Sequence, residues 1–290
     1  MEYLYRRSHS AAVWKWMRHK AIASPVNSVC GTLPMLRAAM WSDRGHVRAE
    51  NQDTCAAAPE FGVFVVCDGM GGAAAGKIAS QLAAEAFLNA LGGSVTSPPA
   101  PEAFDPVVSA GRCPGERLAQ AVAAANSAVY ERAQKYRVLQ GMGTTLVGVL
   151  VQETEPGRTA WIANVGDSRC YLLRNSSLLQ LTTDHSVVEE QIQAGLLSRE
   201  QAEFSPVRNI ITRAIGTQPQ VSADIVEQPL APGDTLLLAS DGLMRELADR
   251  EISSALLSSA ELEDACTALI QRALAKGARD NITVLLISAD

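Results

Sequence analysis

Three apolar, strand-like runs each meet an acidic turn at one end, and this limits what the chain can fold into. Val63-Phe64-Val65-Val66-Cys67 leads into Asp68-Gly69-Met70-Gly71-Gly72, and Thr235-Leu236-Leu237-Leu238-Ala239 leads into Ser240-Asp241-Gly242. Asp280-Asn281 opens onto Ile282-Thr283-Val284-Leu285-Leu286-Ile287, and a fourth acidic turn, Asn51-Gln52-Asp53, lies upstream. A carboxylate at the mouth of a buried strand must find a compensating charge or stay solvated. One Asp-Gly is an ordinary turn. Several carboxylates converging at strand ends suggest an all-oxygen site for divalent metal.

Around these turns the pattern is regular. Leu36 to Ser42 and Phe61 to Cys67 read as strands. Ala73 to Leu91 reads as an alanine-rich helix ending at Gly92-Gly93, with a proline-rich loop over Ser94 to Gly115 and a second helix over Glu116 to Tyr136. Thr144 to Val151, Thr159 to Val165, Arg169 to Leu173 and Leu178 to Leu181 form an expected antiparallel meander. Two short serine-capped helices follow, Ser186 to Ala194 and Ser198 to Glu203. Strands are expected at Val221 to Glu227, Thr235 to Ala239 and Ile282 to Ser288, with helices near Asp249 to Leu257 and Ala260 to Lys276. This order gives an α+β protein with helices flanking packed sheets.

The charge is uneven. Arg6, Arg7, Lys15, Arg18, Lys20 and Arg37 stand against Glu2 alone in residues 1–40, so the rest is more acidic than the net charge of −6 implies. That balance argues against bulk nucleic-acid binding. Residues 1–35, with Trp14 and Trp16, read as a basic N-terminal extension, as a tail touching a membrane surface or partner, or as sequence upstream of a start at Met35 or Met40. Residues 36–290 form the expected single catalytic domain. The six cysteines contain no CxxC pair and read as buried, reduced thiols, which suits a cytoplasmic location. No stretch reaches the length of a membrane span.

The ordered set of segments resembles the metal-dependent protein phosphatases of the protein phosphatase 2C family, in their bacterial form. Its pieces are Ser42-Asp43-Arg44-Gly45-His46-Val47-Arg48, Asn51-Gln52-Asp53, Asp68-Gly69-Met70-Gly71-Gly72, Gly143-Thr144-Thr145, Gly166-Asp167-Ser168-Arg169, Arg213-Ala214-Ile215-Gly216, Ser240-Asp241-Gly242 and Asp280-Asn281-Ile282-Thr283. The resemblance implies a four-layer α-β-β-α sandwich with two central antiparallel sheets. It also implies two Mn²⁺ or Mg²⁺ ions at one sheet edge. Asp68 would bridge them, the Gly69 carbonyl would bind one, Asp241 and Asp280 would hold the other, and Asp53 would support the site. Asp167 would join Asp241 at a third, weaker site, and Arg48 would grip the substrate phosphate, for which a guanidinium fork is suited. The implied activity is hydrolysis of phosphoserine and phosphothreonine in proteins by metal-activated water. Implied partners are phosphorylated proteins, among them a serine/threonine kinase and its targets, and the compact domain is expected to be a monomer.

The chain departs from the family pattern in three places. Ala73 and Lys77 stand where a histidine and a glutamate usually follow the double glycine, which removes one candidate general acid. Gln52 stands for a common glutamate, which predicts weaker metal binding and a need for low-millimolar Mn²⁺. Ser186 to Arg208 matches a mobile flap beside the active site. Two other readings are a degenerate domain acting as a regulatory module and a phosphoesterase for small molecules. Loss of the metal aspartates would favour the first, and turnover of small esters without phosphoprotein the second.

Overall fold

A computed structural model describes residues 36–92, 113–155 and 157–289. All lie within one compact unit, Leu36–Asp290. The expected extension over residues 1–35 and most of the expected loop over Ser94 to Gly115 fall outside the described residues.

The strands are β1 (Arg37–Asp43), β2 (Asp53–Ala58), β3 (Val63–Met70), β4 (Gly143–Thr144), β5 (Leu146–Thr154), β6 (Gly157–Val165), β7 (Arg169–Arg174), β8 (Ser177–Gln180), β9 (Asp224–Leu230), β10 (Thr235–Ala239) and β11 (Ile282–Ser288). The helices are α1 (Ala73–Ala90), α2 (Pro114–Lys135), α3 (Val187–Gln193), α4 (Arg199–Glu203), α5 (Asp241–Glu246), α6 (Asp249–Leu257) and α7 (Leu262–Ala275). One sheet runs β1-β11-β10-β7-β8. The other runs β2-β3-β5-β6-β9, with β4 paired to β3, and the pairings are antiparallel.

Side-chain alternation produces the layers. On β3, Val63, Val65 and Cys67 join Phe87 and Leu88 of α1 and Leu118 and Val122 of α2 in one core. The intervening Phe64 and Val66 are equally buried on the opposite face. On β10 and β11, Leu237, Ala239, Val284 and Leu286 pack with Leu243 of α5, Ile252 of α6 and Leu269 of α7 in a second core. Leu236, Leu238, Leu285 and Ile287 are buried on the other face of that sheet. Strands buried on both faces place the two sheets between two helical layers, the expected sandwich.

The sequence reading needs correction at several elements. It missed β2, whose Asp-Thr-Cys-Ala-Ala-Ala lacks the β-branched signature and is held by pairing to β3. It missed α5, a six-residue helix that begins at Asp241 itself. It ended β9 at Glu227, whereas the strand runs to Leu230 and accommodates Pro229 at the sheet edge. It began α2 at Glu116, whereas Pro114, without an amide hydrogen to satisfy, occupies the first turn. Of the cysteines expected to be buried, Cys67, Cys170 and Cys266 are, Cys55 is half-buried and Cys113 is exposed; all five are free thiols.

Candidate metal centre

Strand register brings the acidic turns to one edge. Asp53 stands directly opposite Asp68 in the β2–β3 pair. In the other sheet Ser240 continues β10 beside Thr283 of β11, with the Ser240 amide donating to the Thr283 carbonyl at 3.1 Å. Asp53 joins the two sheets: its Oδ2 accepts from Ser240 Oγ and from Thr283 Oγ1, both at 2.7 Å. Asp53 is thus a buried carboxylate that pins β2 to the ends of β10 and β11.

Close backbone approach requires glycine at two points. A Cβ on Gly242 would meet the Asn281 carbonyl oxygen at 2.0 Å, so the Asp241 and Asp280 turns can abut only with glycine there. A Cβ on Gly69 would meet the Gly76 carbonyl oxygen, also at 2.0 Å, so the end of β3 presses onto the first turns of α1. Asn281 fixes the neighbouring loop. Its Nδ2 donates to the Arg44 and Glu50 carbonyls at 2.9 and 3.0 Å, and its Oδ1 accepts from the Gln52 amide at 2.9 Å. Gln52 itself donates from Nε2 to the Gly72 carbonyl at 2.7 Å, a bond an ionised glutamate could not make. Thr144 and Thr145 hold the backbone of Asp68. The Thr145 hydroxyl accepts from the Asp68 amide at 2.9 Å, and the Asp68 carbonyl accepts from Thr144 Oγ1 at 2.8 Å and from the Thr145 amide at 2.9 Å.

The cleft this creates is about 420 Å³, and Arg48, Asp68, Gly69, Asp167, Asp241 and Asp280 all line it. Asp53 lies beneath, buried. Its carboxyl is pushed up to about 6, first by burial and also by the charge of Asp241, against the lowering effect of Thr283 and Ser240. Burial and then the neighbouring Asp53 and Asp241 raise Asp68 well above the usual carboxylate range. Asp167 is pushed up to about 7 by burial and then by Asp241. Asp241 is raised mainly by burial, and Arg245 is the largest opposing influence. Crowded carboxylates of this kind demand a cation.

Part of that demand is met by arginine. Arg48 Nη2 donates to Asp280 Oδ2 at 2.8 Å, and Arg245 Nη1 donates to the same oxygen at 2.8 Å. Arg245 also pairs with Asp241 Oδ2. Sequence reasoning singled out Arg48 but missed Arg245, whose only signal was its position one helical turn after Asp241. Among the described residues, no group of three His, Cys, Asp or Glu side chains yet stands in metal-holding geometry. The donor set nonetheless fits a hard divalent ion, being carboxylate and carbonyl oxygen throughout. Asp53 Oδ1 and Asp241 Oδ1 are buried without a hydrogen-bond partner. The donors share one cleft.

The remaining motif residues form a scaffold. Arg169 grips Asp184 through Nε and Nη2, at 2.8 and 2.7 Å. His185 Nδ1 accepts from the Gly166 amide at 3.1 Å while its Nε2 faces Asp224 Oδ2 at 3.1 Å, which fixes the ring in a structural place. The segment expected as a flap contains α3 and α4, each capped by its serine, and Asn209 and Ile211, which follow it, line the cleft.

Residues 44–286 match the family described as protein phosphatase 2C. The chain is 36% identical over 258 residues to a serine/threonine phosphatase, stp, of Listeria monocytogenes, covering 86% of this chain and 94% of that protein. It superimposes on the Mycobacterium tuberculosis serine/threonine phosphatase PstP with a TM-score of 0.76 at 34% identity, covering 88% of this chain and 99% of the other. A second structure, of the PstP catalytic domain in complex with two manganese ions, gives a TM-score of 0.73 at 34% identity, over 88% and 98%.

Proposed function

We propose how the work is divided among the residues of this chain, which belongs to the protein phosphatase 2C family and is a metal-dependent serine/threonine protein phosphatase. The observation that carries the assignment is the convergence of Asp68, Gly69, Asp167, Asp241 and Asp280 on one cleft, with buried carboxylate oxygens lacking partners. Two divalent ions would be held by Asp68, serving both, with the Gly69 carbonyl serving one and Asp241 and Asp280 the other, and Asp167 with Asp241 would serve a third, weaker site. When bound, such ions supply water activation and positive charge opposite the phosphoryl oxygens. Manganese is the favoured ion, by analogy with the manganese-bound PstP structure.

The chain's own residues do the rest. Arg48 stands at the rim with its side chain 52% exposed, so its fork can turn from Asp280 to a substrate phosphate. Thr144 and Thr145 keep the Asp68 backbone from shifting as charge enters the cleft. Ala73, at the start of α1, offers no titratable group, so this position supplies no general acid to the leaving serine or threonine oxygen. The substrates are phosphorylated proteins, and the enzyme opposes a serine/threonine kinase, acting as a cytoplasmic monomer. Among the described residues no helix is long and apolar enough to cross a membrane.

The test compares kcat/KM for a phosphothreonine peptide and for a small aryl phosphate, in wild type and in Arg48→Lys. The peptide should be the better substrate, and the substitution should raise its KM about tenfold, the loss of one bidentate grip worth about 1.4 kcal/mol. Preference for the small ester, with Arg48→Lys unaltered, would reject the reading.

A further inference from the structure

We propose that Arg245 is a built-in counter-cation that latches the metal-ligand carboxylates in the metal-free enzyme and must be displaced when a divalent ion binds. The proposal rests on the assignment of Asp241 and Asp280 as metal ligands.

Arg245 lies four residues after Asp241, on the same face of α5. Its two terminal nitrogens reach different turns: Nη2 to Asp241 Oδ2, and Nη1 to Asp280 Oδ2 at 2.8 Å. Asp280 Oδ2 also carries Arg48 at 2.8 Å, while Asp280 Oδ1 accepts from the Asn281 amide at 2.9 Å. Both Asp280 oxygens are therefore engaged. On Asp241, the oxygen that the guanidinium leaves alone is buried and without a partner. A divalent ion that takes both side chains as ligands must compete with this fork for Asp280, both of whose oxygens are already engaged.

The latch is built to open. The Arg245 side chain is 35% exposed and borders the cleft, so its flexible stem can swing into water without disturbing a core. Release therefore depends on competition between cations for the same carboxylate oxygens. A binding-competent state that is populated only in part weakens apparent affinity by that fraction. Two part-exposed ion pairs of ordinary strength correspond to a closed-to-open ratio of about ten. Arg245 is thus a positioning residue: it keeps mutually repelling carboxylates assembled without metal, and makes full occupancy depend on the free Mn²⁺ concentration.

The experiment uses full-length protein stripped with chelator. Mn²⁺ is titrated by calorimetry into wild type, Arg245→Gln, Arg245→Lys and Asp280→Asn, and melting is followed with chelator and with saturating Mn²⁺. Arg245→Gln should bind Mn²⁺ about tenfold more tightly than wild type. Its metal-free form should melt lower than wild type, because the carboxylates lose their counter-charge, while its Mn²⁺-saturated form melts with wild type. Arg245→Lys, which keeps a charge without the fork, should fall between the two in affinity and decides the matter should the Gln variant not fold. Unchanged or weaker Mn²⁺ binding in Arg245→Gln and Arg245→Lys would overturn the latch. An equal loss of melting temperature with and without metal would also overturn it, making Arg245 an ordinary structural ion pair. Wild-type Mn²⁺ binding in Asp280→Asn would instead remove the ligand assignment on which the latch depends.

Discussion

Replacing Thr283 with valine removes one hydroxyl and keeps the shape of a fully buried strand residue. In the native protein that hydroxyl lies 2.7 Å from Asp53 Oδ2 and 2.7 Å from Ser42 Oγ. Ser42 retains a partner, since Asn51 Nδ2 donates to it at 2.7 Å. Asp53 does not fare as well: its Oδ2 keeps Ser240 alone, and its Oδ1 already has no partner. Losing a hydrogen bond to a charged group costs about 1.5–3 kcal/mol. The added methyl group returns about 0.8 kcal/mol by burial. The net loss is about 1–2 kcal/mol, or about 2–8 °C in melting temperature for a domain of this size. The assay is urea unfolding of the metal-stripped protein near neutral pH, alone and in an Asp53→Asn background. With the neutral amide in place, the same substitution should cost only the about 0.5–1.5 kcal/mol of a neutral bond, before the methyl gain. An equal cost in both backgrounds, or none in either, would refute the claim that Thr283 acts by stabilising a buried charge that ties the sheets together.

Two other perturbations follow from the same geometry. Gly242→Ala drives a methyl group against the Asn281 carbonyl, so it should separate the Asp241 and Asp280 turns, cost about 1–3 kcal/mol and weaken Mn²⁺ binding by calorimetry. In the metal-free protein, Asp53, Asp68, Asp167 and Asp241 hold protons to higher pH than in the unfolded chain, Asp53 to about 6 and Asp167 to about 7. The folded state therefore binds more protons between the unfolded value of about 3.9 and about 7, and stability should fall as pH rises through that window. Urea midpoints across this range should show that decline with chelator present and lose it with saturating Mn²⁺.

Much of the centre was legible because aspartates at the mouths of strands conflict with burial, and the conflict shows in the chain itself. Asp68, Asp241 and Asp280 announce themselves in this way, and Asp53 follows from the turn before β2. What stayed hidden depends on tertiary contact. Arg245 reads as a solvated helix residue until Asp280, far away in sequence, is placed beside it. The threonines of Gly143-Thr144-Thr145 gain their role only when β4 pairs with the end of β3. Gln52 was read through its missing charge, whereas the structure gives its amide a donor's task at the Gly72 carbonyl. Strand β2 was missed because alanine carries no strand signal of its own; its neighbour β3 supplies the pairing.

The central claim is that these acidic turns form a metal centre that hydrolyses phosphoprotein esters. It is tested most directly by release of phosphate from a phosphothreonine peptide as Mn²⁺ is added to stripped enzyme, wild type beside Asp241→Asn. The account predicts no release with chelator, saturable recovery with Mn²⁺ in the wild type, and collapse at every Mn²⁺ concentration in a folded Asp241→Asn variant. Full activity after exhaustive chelation, or an Asp241→Asn variant as active as the wild type, would contradict it.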